Sequence, residues 1–101
     1  MHLIEIFLPL SDNQGKRFPR EDYLRVEKEL AEEFGGVTAY PRTPASGLWK
    51  QGGGEQRDDL VIYEILAETI DEQWWQSYRH KLEQQFSQDE ILIRSHECRK
   101  L

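Results

Sequence analysis

Four ionisable residues fall where strand alternation can gather them on one surface: Glu5, Arg42, Glu64 and Arg94. Each lies in a short β-rich run, two residues from large apolar or aromatic neighbours. Glu5 has Leu3 and Phe7, Glu64 has Ile62 and Leu66, Arg94 has Leu92, and Arg42 follows Thr38 and Tyr40 at the same parity. Side chains two apart on a strand share a face. An acid there can take a proton, a guanidinium can hold an anion, and a phenol can orient it. The same residues can instead form cross-strand ion pairs, acid against base, that close a subunit interface without unpaired charge. We prefer the ion-pair reading; the sequence leaves the register open.

Other reactive side chains offer less. His96 and Cys98 have the spacing of two metal ligands on one strand, but a site needs about four ligands or three plus water. No metal is expected, and no cofactor. A cysteine nucleophile needs a base and an activating field, and Cys98 stands between Glu97 and Arg99 near the last residue of the sequence. Gly52-Gly53-Gly54 lacks the Lys-Ser/Thr ending of a phosphate loop, so residues 51–57 read as a hairpin tip. Trp49 lies outside every core stripe and either caps the sheet or lines a ligand cleft. Trp74 and Trp75 read as core aromatics.

These residues need a scaffold, and the chain supplies six segments for one. Leu3–Leu8 is a strand ended by Pro9 and a polar run. A helix follows with Pro19 at its first position. Its apolar residues Tyr23, Val26, Leu30 and Phe34 recur at helical spacing, and Gly35 closes it. Val37–Arg42 is a short strand that Pro41 pushes to a sheet edge. Asp59–Ala67 is the longest strand. Thr69 to Glu72 reads as a capping box opening a second helix, where Trp74, Tyr78, Leu82 and Phe86 recur every four residues. Trp74 is thus expected to be the more buried tryptophan. Ile91–His96 is the last strand.

The order βαββαβ with right-handed crossovers gives an α+β ferredoxin-like plait. One four-stranded antiparallel sheet, order 4-1-3-2, carries two helices on one face, in a single domain over 1–101. Alternation places Ile4, Ile6, Leu8, Val37, Ala39, Val61, Tyr63, Ile65, Ile91 and Ile93 under the helices. The opposite face carries the four charges with Leu3, Phe7, Leu60, Ile62, Leu66 and Leu92. That face is too apolar to stand bare in water. A second copy, a ligand or the 42–57 segment must cover it, and a homodimer through this face is the expectation.

Charge and composition narrow the partners. With 19 acids against 13 Lys and Arg, the net charge is −6. That repels a nucleic-acid backbone. No apolar run approaches the roughly 20 residues of a membrane span, and Glu5 interrupts the opening run, so no signal peptide is read. One cysteine allows no internal disulfide, which fits a cytoplasmic protein.

Phe34-Gly35-Gly36-x-Thr38, Gly47-x-Trp49 and Phe86-x-Gln88-x-x-Ile91-Leu92 together resemble a pattern in an uncharacterised family of small bacterial α/β-plait proteins. The resemblance spans roughly residues 30 to 93. It implies the plait, and Thr38, Trp49 and Gln88 as site positions, but no reaction. The layout is also similar to dimeric α+β barrel proteins, in which two sheets pack face to face. Three functions follow: a non-catalytic homodimer binding a small molecule or a protein, a cofactor-free enzyme with its pocket on the open face, or a structural subunit without ligand.

Overall fold

A computed structural model of the chain describes residues 1–42 and 60–101, with only the backbone of Pro41 and Arg42. The elements are β1 (His2–Pro9), α1 (Arg20–Phe34), β2 (Thr38–Arg42), β3 (Leu60–Ala67), α2 (Glu72–Gln85) and β4 (Ile93–Glu97). The strands form one antiparallel sheet in the order β2-β3-β1-β4. This is the expected plait, with β2 and β4 at the edges.

The helix ends show which local signals won. Pro19 is the N-cap of α1, with extended backbone (φ −62°, ψ 148°), and the helix begins one residue later than predicted. Gly35 closes α1 in the left-handed region at φ 82°, and its N–H donates to the Ala31 carbonyl at 2.8 Å. The Thr69 capping box does not form. Asp71 caps α2 instead, its carboxylate accepting from the Trp74 N–H at 3.1 Å. A carboxylate three residues before an N–H without an intrahelical partner, at the positive end of a helix, satisfies that donor directly.

The core lies between the sheet and both helices. Ile4, Ile6 and Leu8 of β1, Val61, Tyr63 and Ile65 of β3, Val26 and Leu30 of α1, Leu82 of α2 and Phe86 at its C-cap are all buried. Ile91 joins them from the segment before β4. Its N–H goes to the Glu83 carboxylate of α2 at 3.1 Å, so the strand starts at Ile93 rather than Ile91. Ala39, expected under the helices, is exposed on the outer strand β2.

The two tryptophans exchange the places expected of them. Trp75 is buried and Trp74 only partly so. A series spaced by four drifts about 40° per step around a helix of 3.6 residues per turn. By Leu82 and Phe86 the buried direction has moved away from Trp74 and lies over Trp75. Trp74 stands at the seam between the helices, edge-on to Phe34 at 5.2 Å and stacked on Tyr78 at 4.9 Å.

Candidate functional site

The open face is built by the register. Glu5 pairs with Glu64 on one side and Arg94 on the other, and Glu64 pairs with Thr38. The four candidates Thr38, Glu64, Glu5 and Arg94 therefore form one row across all four strands. The next row is Tyr40, Ile62 and Phe7, with Leu92 beyond, since the Phe7 N–H donates to the Leu92 carbonyl at 3.0 Å. Arg42 lies further along β2, opposite Leu60.

Hydrogen-bond parity sets how closely each pair approaches. Phe7 bonds Leu92, and the Cys98 N–H donates to the Met1 carbonyl at 3.0 Å. The odd residues of β1 thus direct their backbone groups to β4, and the even residues direct theirs to β3. Glu5 and Arg94 are a hydrogen-bonded pair. Glu5 and Glu64 are a non-hydrogen-bonded pair, the kind in which Cα atoms come to about 4.5 Å and side chains lie closest. The row's non-hydrogen-bonded pair is thus between two acids.

The row's cation serves one of them. Arg94 Nε donates to Glu5 Oε1 at 2.8 Å, and its guanidinium lies over the Phe7 ring at 4.9 Å. The Glu5 side chain is only 13% exposed, and Arg94 covers it. Among the described residues Glu64 makes neither a hydrogen bond nor an ion pair. It is partly buried, with Ile62 and Leu66 before and behind it on the same strand face. Ile62 itself is 6% exposed, while Leu66, Leu92 and Tyr40 stand about half exposed.

The remaining candidates are placed elsewhere or lie outside the described residues. Gln88 sits in the turn after α2, its side-chain amide donating to the Phe86 carbonyl at 3.0 Å, and does not join the row. Trp49 and the 51–57 tip lie outside the described residues, as does the Arg42 side chain. His96 pairs with Leu3 on the open face. Among the described residues no three His, Cys, Asp or Glu side chains gather as metal ligands would.

The helix side holds polar contacts that the sequence did not announce. The Tyr63 hydroxyl donates to Glu27 at 2.9 Å, the Tyr78 hydroxyl to Glu29 at 3.1 Å, and the Tyr23 hydroxyl to the Pro9 carbonyl at 2.6 Å. Lys81 closes on Glu29 as well. Burial, then the neighbouring Asp22 charge, pushes Tyr23 up to about 12. Tyr63 and Tyr78 are held well above the ordinary phenol value, first by burial and then by Glu27 and Glu29. These groups tie α1 to the sheet and to α2, and none faces the row. A cleft of about 330 Å³ lies between the start of α2 and β4, floored by Ile4, Ile70, Trp75 and Ile93. A second of about 410 Å³ runs between the helices beside Glu32, Glu33 and Trp74. Burial and pairing of distant residues create both, and no spacing in the sequence marks them.

The architecture is similar to that of a phage SAM lyase solved in complex with S-methyl-5'-thioadenosine. The TM-score is 0.60 at 15% identity, over 95% of this chain and 80% of that one. At that identity the likeness is one of fold. No protein-family model and no curated protein sequence matches the chain. The plait is thus supported, and the specific Phe34–Thr38, Gly47–Trp49 and Phe86–Leu92 pattern is not. No helix among the described residues is long and apolar enough to cross a membrane.

Proposed function

We propose that this chain is a cytoplasmic, non-catalytic homodimer that binds a small molecule on the open sheet face. The observation that carries the reading is Glu64, a partly buried acid without a partner among the described residues, set in an apolar surface. Leu66 and Leu92, half exposed beside it, favour cover by a second sheet. A two-fold axis uses the same surface twice, and about 800 Å² per subunit is typical of a stable interface. That a SAM lyase of this fold holds a nucleoside supports the fold's capacity for a small ligand and names no ligand here.

A cofactor-free enzyme on the same face is the second reading, favoured by the same unpaired Glu64 as a base. Arg94 is a poor anchor for an anionic substrate, because its guanidinium is already placed on Glu5 and Phe7. The test joins light scattering at micromolar concentration to a thermal-shift screen of small metabolites. A dimeric mass, and a compound whose stabilisation is lost in Glu64→Gln, are expected. Turnover of that compound would favour the enzyme. A dimer that binds nothing would leave a structural subunit, and a monomeric mass would overturn the dimer.

A further inference from the structure

We infer that the outer edge of β4 is a second self-association surface, where β4 of another copy adds antiparallel, centred on Ser95, and joins two sheets into one. It uses an edge that the reading of the open face leaves alone, so either can fail without the other.

Backbone parity exposes that edge. The Phe7 N–H donates to the Leu92 carbonyl, and the Cys98 N–H to the Met1 carbonyl. Even-numbered residues of β4 therefore direct their backbone groups to β1, and Ile93, Ser95 and Glu97 direct theirs outward. β4 is the last strand of the sheet, and Arg94 to Glu97 are exposed. Among the described residues nothing pairs with this edge. The chain between Arg42 and Leu60 leaves and rejoins the sheet on β2 and β3, on the far side of β1. The other outer strand, β2, carries Pro41, a residue that blunts an edge. β4 has neither proline nor lysine, so its row of donors and acceptors is a template for another strand.

Charge selects the occupant and its register. Asp89 and Glu90 precede the strand, Arg99 and Lys100 follow it, and all four are exposed. Acid at one end and base at the other suit an antiparallel copy of the same segment. A two-fold axis perpendicular to the sheet pairs one outward residue with itself. With Glu97 at the axis, two carboxylates meet directly. With Ile93 there, Glu97 meets Asp89. Both registers oppose like charges. With Ser95 at the axis, Glu97 faces Ile93, and Glu90 comes toward Lys100 at both ends. Arg94 then stands opposite His96, with its guanidinium already on Glu5. Ile93, Ser95 and Glu97 each exchange both backbone bonds with the second copy. A strand of 5 residues buries far less than the about 800 Å² per subunit of a stable interface. Edge pairing therefore belongs to higher concentrations than a face-to-face dimer needs.

The experiment follows the full chain by light scattering and amide hydrogen exchange from about 1 μM to about 1 mM. The mass is expected to double over that range. Ser95→Pro removes an outward N–H and spares the ladder to β1, so it should fold and keep the low-concentration mass. Leu66→Asp lies on the open face of β3, which does not adjoin β4, and its mass should still double. Glu90→Lys should weaken the association on the order of tenfold at low salt, and adding Lys100→Glu should restore it. Exchange decides even where Ser95→Pro fails to fold. The Arg94 and His96 amides should be protected at every concentration, and those of Ile93, Ser95 and Glu97 only as the mass rises. A mass that stays constant, or that rises equally in a folded Ser95→Pro, overturns the inference. Protection of the outward amides before the mass rises overturns it too, because another segment of the same chain then pairs with the edge. A charge swap that restores nothing overturns the Ser95-centred pairing. A rise from monomer to dimer, in place of dimer to tetramer, supports the edge and sinks the face-to-face dimer alone.

Discussion

The two faces of the sheet treat their acids differently. Under the helices, Glu27 receives the Tyr63 hydroxyl, and Glu29 receives both the Tyr78 hydroxyl and Lys81. Each of these two acids has a donor facing it. On the open face Arg94 pairs with Glu5, and Glu64 has no partner among the described residues. A folded chain that satisfies one side of a sheet and leaves a charge unanswered on the other has one finished surface and one that requires something from outside.

Substitutions on the finished side should do the most damage. Trp75→Ala should cost about 3–5 kcal/mol as a buried aromatic, and Trp74→Ala clearly less, measured by urea unfolding. Equal losses would mean that the seam between the helices carries as much as the core beneath it. The open face should next separate fold from assembly. Ile62 is buried within the single chain, so Ile62→Asp should lower stability as well as dissociate a dimer. Leu92→Asp, at a half-exposed position, should dissociate the dimer in light scattering and leave the melting temperature of the monomer nearly unchanged.

The tyrosines give the contrast a pH dependence. Tyr23, pushed up to about 12, holds its proton more tightly folded than unfolded. Its contribution is fully present below the ordinary value near 10 and is lost as pH rises through about 12. Tyr63 and Tyr78, raised in the same direction, extend that loss upward. Alkaline unfolding monitored by circular dichroism should therefore begin above about pH 10. Tyr78→Phe should cost about 0.5–1.5 kcal/mol near neutrality and reduce the alkaline loss. The smallest effect is the most pointed. Glu64→Gln should stabilise the ligand-free chain by about 0.2–1 kcal/mol, where most substitutions destabilise. A destabilisation would show that Glu64 has a partner after all.

Sequence reading reached the architecture because its signals were redundant. Period-two alternation in β1 and β3, the Gly35 stop and the placing of Pro41 at an edge all pointed to one fold. It failed where two local choices competed. Thr69 and Asp71 both suit a helix cap, and only the strand's end at Ala67 and the course of the loop decide between them. Trp74 and Trp75 differ by one position, and a spacing of four overstates the reach of the stripe. The site was half legible. Parity put Glu5, Glu64 and Arg94 on one face, but which acid takes Arg94 depends on register. The Tyr63–Glu27 and Tyr78–Glu29 contacts join residues roughly 35 to 50 positions apart, a range at which no spacing rule operates.

The register also governs the order in which the fold can be made. β1 lies in the middle of the sheet, yet its partners come roughly 50 to 95 positions later in the chain. Only β2 and β3 are neighbours both in sequence and in the sheet. During synthesis the first strand must wait, with Ile4, Ile6 and Leu8 unprotected, until β3 leaves the ribosome, and its second edge stays open until β4 follows. Such long-range pairing slows folding toward the millisecond-to-second range and leaves an apolar strand available to other chains meanwhile. Glu5, midway along that strand, breaks its apolar run, and a charge so placed restrains premature association. The acid that takes Arg94 in the finished sheet guards the same strand before the sheet exists.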